Sequence, residues 1–198
     1  MQALSFLSGA ILLGANLIYI IRIWQGETKP IRGSWITWAV LDIALIAGMY
    51  IKDAVNGQVV AGTVTSSIIA GMSICWGKPG WSTLRLRSKE IPIEKICLWV
   101  LPFGLALWWF TRNADWNIIV SNTLIAFACL PTYASAWKDP KREDKTAWTM
   151  MLISSLVMLP AIRAWTIADA TQPIVWLVTQ IPMVYIVWLH HPKQNRLV

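Results

Sequence analysis

The feature that most limits what this chain can fold into is a loop that occurs twice, each time between long apolar runs. Residues 24–35 read WQGETKPIRGSW and residues 137–148 read WKDPKREDKTAW. Both loops are basic and framed by tryptophan, and 137 − 24 and 148 − 35 both give an offset of 113. At that offset the first apolar run (3–24) falls on a fifth (116–137), the second (35–51) on a sixth (146–168) and the third (59–76) on a seventh (173–189). A fourth run, 96–111, has no counterpart.

Runs of this kind approach the roughly 17–25 apolar residues that span a bilayer, and in lipid a helix satisfies every backbone polar group within itself. The expected fold is therefore an all-α membrane protein of seven transmembrane helices. Three helices are an odd number, so a second triplet enters the membrane inverted unless one more helix intervenes, and the unpaired fourth run supplies it. The expectation is two parallel three-helix repeats related by an axis along the membrane normal, joined by a linker helix in a 3+1+3 order. Residues 1–80 form the first bundle, 81–113 a loop and the linker helix, and 114–198 the second bundle with a short tail. Hydropathy carries the repeat far more than identity, since besides the tryptophans only Ser8/Ser121, Ala15/Ala128, Leu17/Leu130 and Ile68/Ile181 match at the offset.

Charge then orients the chain. In a seven-helix arrangement 14 of the 17 Lys and Arg fall on one side, leaving Lys52, Arg112 and Arg163 on the other. The positive-inside rule puts the N-terminus outside and the C-terminus in the cytoplasm, as expected of a protein of the bacterial cytoplasmic membrane. Many of the 14 tryptophans end apolar runs, where an indole sits at headgroup level. The basic loops have anionic lipid as their expected partner. Distributed in this way, the net charge of +7 points away from nucleic acid. The first run lacks the basic start and cleavage site of a signal peptide and is expected to stay as a mature helix.

Chemistry-bearing residues are sparse. His190 and His191 lie in the tail, and Cys75, Cys97 and Cys129 lack metal-like spacing, so neither metal nor cofactor is expected. The paired acids of a membrane-embedded transferase are missing, and the chain is not expected to be an enzyme.

Polar residues inside the runs say more, because lipid penalises them unless they pair or line a cavity. Measured from the tryptophans of the basic loops at 1.5 Å per residue, Asn16 lies roughly 12 Å deep, Asp42 roughly 10 Å and Ser67 roughly 13 Å. All fall near one level. Adding 113 gives Cys129, Ser155 and Gln180, with Thr179 matching Ser66. This predicts a pseudo-symmetric polar layer at mid-membrane, its binding residues being Asn16, Trp38, Ser66, Ser67, Thr179 and Gln180. Trp35, Trp38 and Asp42 share one helix face; Trp38 is the expected pocket wall and Trp35 a headgroup anchor. Indole and polar atoms together suit a small neutral polar solute. Asp42, without a Lys or Arg at its depth, is the candidate proton-coupling residue. Arg163 is expected to snorkel outward, and Pro131 and Pro160 are the expected hinges of the second triplet.

In this layout, and in Pro131 of PTYASAWKDP where the fifth helix carries its proline, the chain resembles the SWEET and PQ-loop superfamily of seven-helix 3+1+3 transporters. The proline-glutamine dipeptide of the PQ-loop branch does not occur. Of the four SWEET helix prolines only Pro131 and Pro160 are kept, and Ser66, Ser67, Thr179 and Gln180 stand where the sugar carriers place asparagines in helices three and seven. The resemblance implies a transporter of a small solute such as a sugar, amino acid or vitamin, working by alternating access, passive or proton-coupled. The alternative is a membrane receptor or assembly partner that uses the same fold without transport. Homo-oligomerisation is left open.

Overall fold

A computed structural model of the chain describes residues 1–77, 83–86, 89–92 and 112–190, with single positions 102, 106, 109 and 110. The fourth apolar run, expected as the linker helix, lies outside the described residues apart from those single positions. Among the described residues six helices form the body: α1 (Gln2–Trp24), α2 (Arg32–Ile51), α3 (Gly57–Trp76), α4 (Ala114–Lys138), α5 (Lys145–Met158) and α6 (Ile167–Leu189). Two short strands, β1 (Thr83–Leu86) and β2 (Lys89–Pro92), pair antiparallel with Thr83 opposite Pro92. Nothing in the sequence pattern singled them out from a basic loop.

Four helices begin where a side chain satisfies a backbone N–H that the helix cannot. Asn56 caps α3 through Val59 N, Asn113 caps α4 through Asp115 N, Asp144 caps α5 through Ala147 N and Thr166 caps α6 through Asp169 N. All of the helices except α5 are long and apolar enough to cross a membrane. The sixth apolar run was expected to be helical over 146–168. Instead α5 stops at Met158, a 3-10 turn covers Leu159–Ala161, and α6 starts at Ile167. Pro160 explains the break, because it has no N–H to donate and its ring crowds the carbonyl four residues back. It ends a helix rather than bending a longer one. Its 14 α-helical and three 3-10 residues still measure about 27 Å, close to the roughly 30 Å of a hydrocarbon core.

The distribution of polarity is that of a protein immersed in lipid. Phe6, Leu13, Leu17 and Ile21 on α1, Val60, Val64 and Ile68 on α3, and Ile174, Val178, Ile181 and Tyr185 on α6 are exposed stripes. Ser8, Asn16, Asp42, Gln58, Thr65, Ser154, Ser155 and Gln172 are buried. Such continuous apolar faces far exceed what a water-soluble surface tolerates, and buried polar groups bonded to each other are how helices associate in a bilayer. The chain is membrane-embedded. Trp24, Trp76, Trp137 and Trp188 are exposed near one end of the bundle and Trp116 and Trp165 near the other.

Cross-helix bonds fix the directions. Ser5 with Gly57 and Asn16 with Thr65 make α1 and α3 parallel; Ser66 with Asp42 and Arg32 with Ser73 make α2 antiparallel to α3. Trp38 with Ile125 and Asn117 with Ala44 make α4 antiparallel to α2, so α4 runs with α1. Ser8 with Ser154 and Tyr19 with Glu143 make α5 antiparallel to α1; Trp188 with Thr149 sets α6 antiparallel to α5. Thus α1, α3, α4 and α6 run one way and α2 and α5 the other. α3 packs on both α1 and α2, and α6 packs on both α4 and α5; between these triplets α1 meets α5 and α2 meets α4. The offset of 113 maps this adjacency onto itself. It carries 2–24 to 115–137, 32–51 to 145–164 and 57–76 to 170–189, all within a few residues of the observed elements except where Pro160 cuts α5 short.

Candidate functional site

At the level of the polar layer lies a cavity of about 70 Å³ to which all six helices contribute. Asn16, Trp38, Asp42, Ser66, Thr179 and Gln180 line it. Ser67 does not: it is exposed on the outer face of α3 and donates to the Thr63 carbonyl of its own helix at 2.7 Å. The reason is angular, since adjacent helical residues point about 100° apart and Ser66 takes the inward position. Ser155 is buried but one turn away, where it accepts from Gln58 rather than facing the cavity. Pro131 is buried within α4, which continues through it.

Five pairs of lining residues are related by the offset: Leu12/Ile125, Asn16/Cys129, Trp35/Trp148, Trp38/Met151 and Ser66/Thr179. Trp35, expected at the headgroups, is buried and belongs to the wall. Trp148 was legible only as its partner at 113, and Trp176 carried no signal in the sequence. Gly62 makes room for Trp176, since a Cβ on that glycine would lie 2.3 Å from the Cη2 atom of the indole.

Within the cavity the bonds are specific. Ser66 Oγ donates to Asp42 Oδ2 at 2.7 Å, Asn16 Nδ2 to Thr65 Oγ1 at 2.7 Å and Trp38 Nε1 to the Ile125 carbonyl at 3.1 Å. The Tyr133 hydroxyl donates to the Thr179 carbonyl. Trp176 Nε1 and Gln180 Oε1 are buried without a hydrogen-bond partner. Unpaired buried groups of this kind are uncommon because each forfeits its bonds to water.

Beyond the cavity, towards each end of the bundle, bonds run between the triplets. At the end that carries the basic loops, Tyr19 of α1 donates to Glu143 Oε2 at 2.8 Å and Trp148 Nε1 donates to the same atom at 2.9 Å. Arg22 pairs with Asp144 at 3.3 Å, and Lys29 N donates to the Arg142 carbonyl at 3.3 Å. Burial pushes the Glu143 carboxyl up to about 7, against the pull of these two donors. At the other end Gln58 Nε2 donates to Ser154 Oγ at 3.0 Å, while Gln172 Nε2 donates to Gln58 Oε1 at 2.9 Å. Arg163 is exposed at that end, where it pairs with Asp169 at 3.1 Å and donates to the Asp53 carbonyl across the triplets. Glu143 and the two glutamines escaped sequence reasoning, the first because it sits among charged loop residues, the others because they lie at run ends.

No protein-family model matches the chain, and no curated protein or solved structure matches it. Its function therefore rests on this geometry. A larger recess of about 630 Å³ opens at the Met1 end. Phe6, Leu13, Val60 and Val64, which line it, also belong to the exposed apolar stripes, so it opens onto the apolar surface of the bundle.

Proposed function

We propose that the protein is a small membrane carrier of a small polar solute, such as a sugar, amino acid or vitamin, of the SWEET and PQ-loop kind. Two three-helix bundles, 1–80 and 114–198, rock against each other about the cavity, with the segment 81–113 supplying the linker helix of a seven-helix 3+1+3 arrangement. The observation that carries this reading is a cavity lined by indoles and a few polar side chains from both triplets, with bonds running between the triplets towards each end of the bundle. Rocking that breaks one set while keeping the other opens the site to one face at a time, which is alternating access about a fixed mid-membrane site. At about 70 Å³ the cavity is far below the roughly 300–1,000 Å³ of an open ligand pocket, as suits a contracted state of the site. The charge asymmetry sets the basic-loop end in the cytoplasm and the N-terminus outside, in a bacterial cytoplasmic membrane, with anionic lipid against the basic loops.

Asp42 is the proposed proton-coupling group. It is buried at mid-depth, and among the described residues no Lys or Arg pairs with it. Solute uptake into proteoliposomes tests both proposals. Wild-type protein should support flux that Trp38→Ala abolishes, and in Asp42→Asn whatever flux remains should no longer respond to an inward proton gradient. Binding without flux would identify a receptor instead.

A further inference from the structure

We propose that the cavity selects a small organic ammonium ion that also carries a hydrogen-bonding oxygen. The proposal rests on the reading above that this cavity is the solute site, and narrows the solute by charge. Among the described residues four indoles line the space, those of Trp35, Trp38, Trp148 and Trp176, together with one carboxyl group and no Lys, Arg or His. Two of the indoles cannot act there as donors. Trp38 spends its N–H on the Ile125 carbonyl and Trp148 on Glu143, so both present ring carbon to the cavity. Trp35 meets Trp38 edge to face, with ring centroids 4.9 Å apart and planes 85° apart, and so adds a second wall at right angles. Aromatic walls of this kind attract cations through the negative faces of their rings, and quaternary ammonium groups are their best-known occupants.

Asp42 supplies the charge. Only its Oδ2 atom is engaged, by Ser66, and among the described residues no cation reaches it. A buried carboxylate without a counter-charge is costly, and a cationic solute removes that cost where a neutral polyol leaves it. An anion would meet the carboxylate with no basic group to offset it. The unpartnered Trp176 N–H requires an acceptor, and the unpartnered Gln180 Oε1 takes an N–H or O–H. A hydroxyl near the ammonium group provides both an acceptor and a donor.

The test measures binding to the purified full-length protein in nanodiscs, by the shift in thermal unfolding and the change in tryptophan fluorescence. The probes are choline, its uncharged isostere 3,3-dimethylbutan-1-ol, and a panel of neutral sugars. Choline should bind and the isostere should not at equal concentration. Asp42→Asn should weaken choline about a hundredfold or more, the scale of a broken buried ion pair. Trp176→Leu, which leaves Asp42 in place, should weaken it at least about tenfold. Equal binding of choline and the isostere, or choline affinity unchanged in Asp42→Asn, would overturn the proposal. Sugar binding without choline binding overturns the cation assignment while retaining a solute site, and failure of every probe overturns both.

Discussion

The two triplets share a layout and differ in what holds each together. In the first, α1 and α3 touch backbone to backbone: a Cβ on Gly9 would lie 2.5 Å from the Gly57 carbonyl oxygen, and one on Gly57 would lie 2.5 Å from that of Ser5. Their counterparts at 113 are Asn122 and Ala170, which carry the Cβ for which the first triplet has no room. The cavity walls diverge as well. The first triplet offers Asn16 and Asp42 where the second has Cys129 and Ser155, and the second offers Trp176 where the first has Thr63. Matched positions build the frame, and unmatched ones carry the chemistry.

The largest expected effect comes from forcing the tight pair apart. Gly9→Ala pushes a methyl group against backbone that no rotamer change can move, and should lower stability in detergent by about 2–3 kcal/mol. Asn122→Ala at the equivalent place should change it by less than about 1 kcal/mol, because the lost bond from Asn122 Nδ2 to the Ile118 carbonyl of its own helix is offset by removal of a buried acceptor that has no partner. Equal losses would mean that the triplets are held alike. A smaller contrast separates Gly62 from Gly71 on α3. Gly62→Ala collides with Trp176 and should cost about 1–2 kcal/mol along with solute binding. At Gly71 a Cβ meets nothing within 4 Å, so Gly71→Ala should gain up to about 1 kcal/mol of helix propensity. Thermal unfolding of the two variants side by side decides it.

The smallest effect is a pH dependence present on one side only. The offset places Pro30, which has no acceptor side chain, where the second triplet has Glu143. The carboxyl of Glu143 titrates at about 7 in the closed form and near its ordinary 4.5 when exposed, because burial disfavours the anion. The groups facing it are the Tyr19 hydroxyl, the Trp148 N–H and Asp144, itself paired with Arg22. The closed form binds the proton more tightly, so closure at this end is fully favoured below about 4.5, weakens as pH rises and is weakest above about 7. A cysteine replacing the buried Thr28 should react faster from pH 5 to 8 relative to the exposed Cys75. In Glu143→Gln the ratio should stay flat.

The helices were legible because lipid demands long apolar runs, and their boundaries held to within a few residues wherever a tryptophan or a capping Asn or Asp marked the end. Pro160 defeated the sixth run because hydropathy cannot distinguish a proline that bends a helix from one that ends it. In the cavity, the depth arithmetic brought Asn16, Asp42, Ser66, Thr179 and Gln180 to one level, but depth says nothing of angle, and Ser67 turned outward. Trp176 was invisible because its place depends on the space above Gly62, a contact between triplets that no run contains. Glu143 was indistinguishable from its charged neighbours until its burial was known.

The central claim is that one cavity is reached from both faces in turn. The most direct measurement places a single cysteine at Thr179, after Cys75, Cys97 and Cys129 are changed to serine, and follows its reaction with an impermeant maleimide. Sealed right-side-out and inside-out vesicles are compared. The account predicts labelling from both sides, with the two rates moving in opposite directions when the Glu143 closure is weakened by Glu143→Ala. Labelling from one side alone, whatever the variant, would contradict alternating access and leave a binding site without transport.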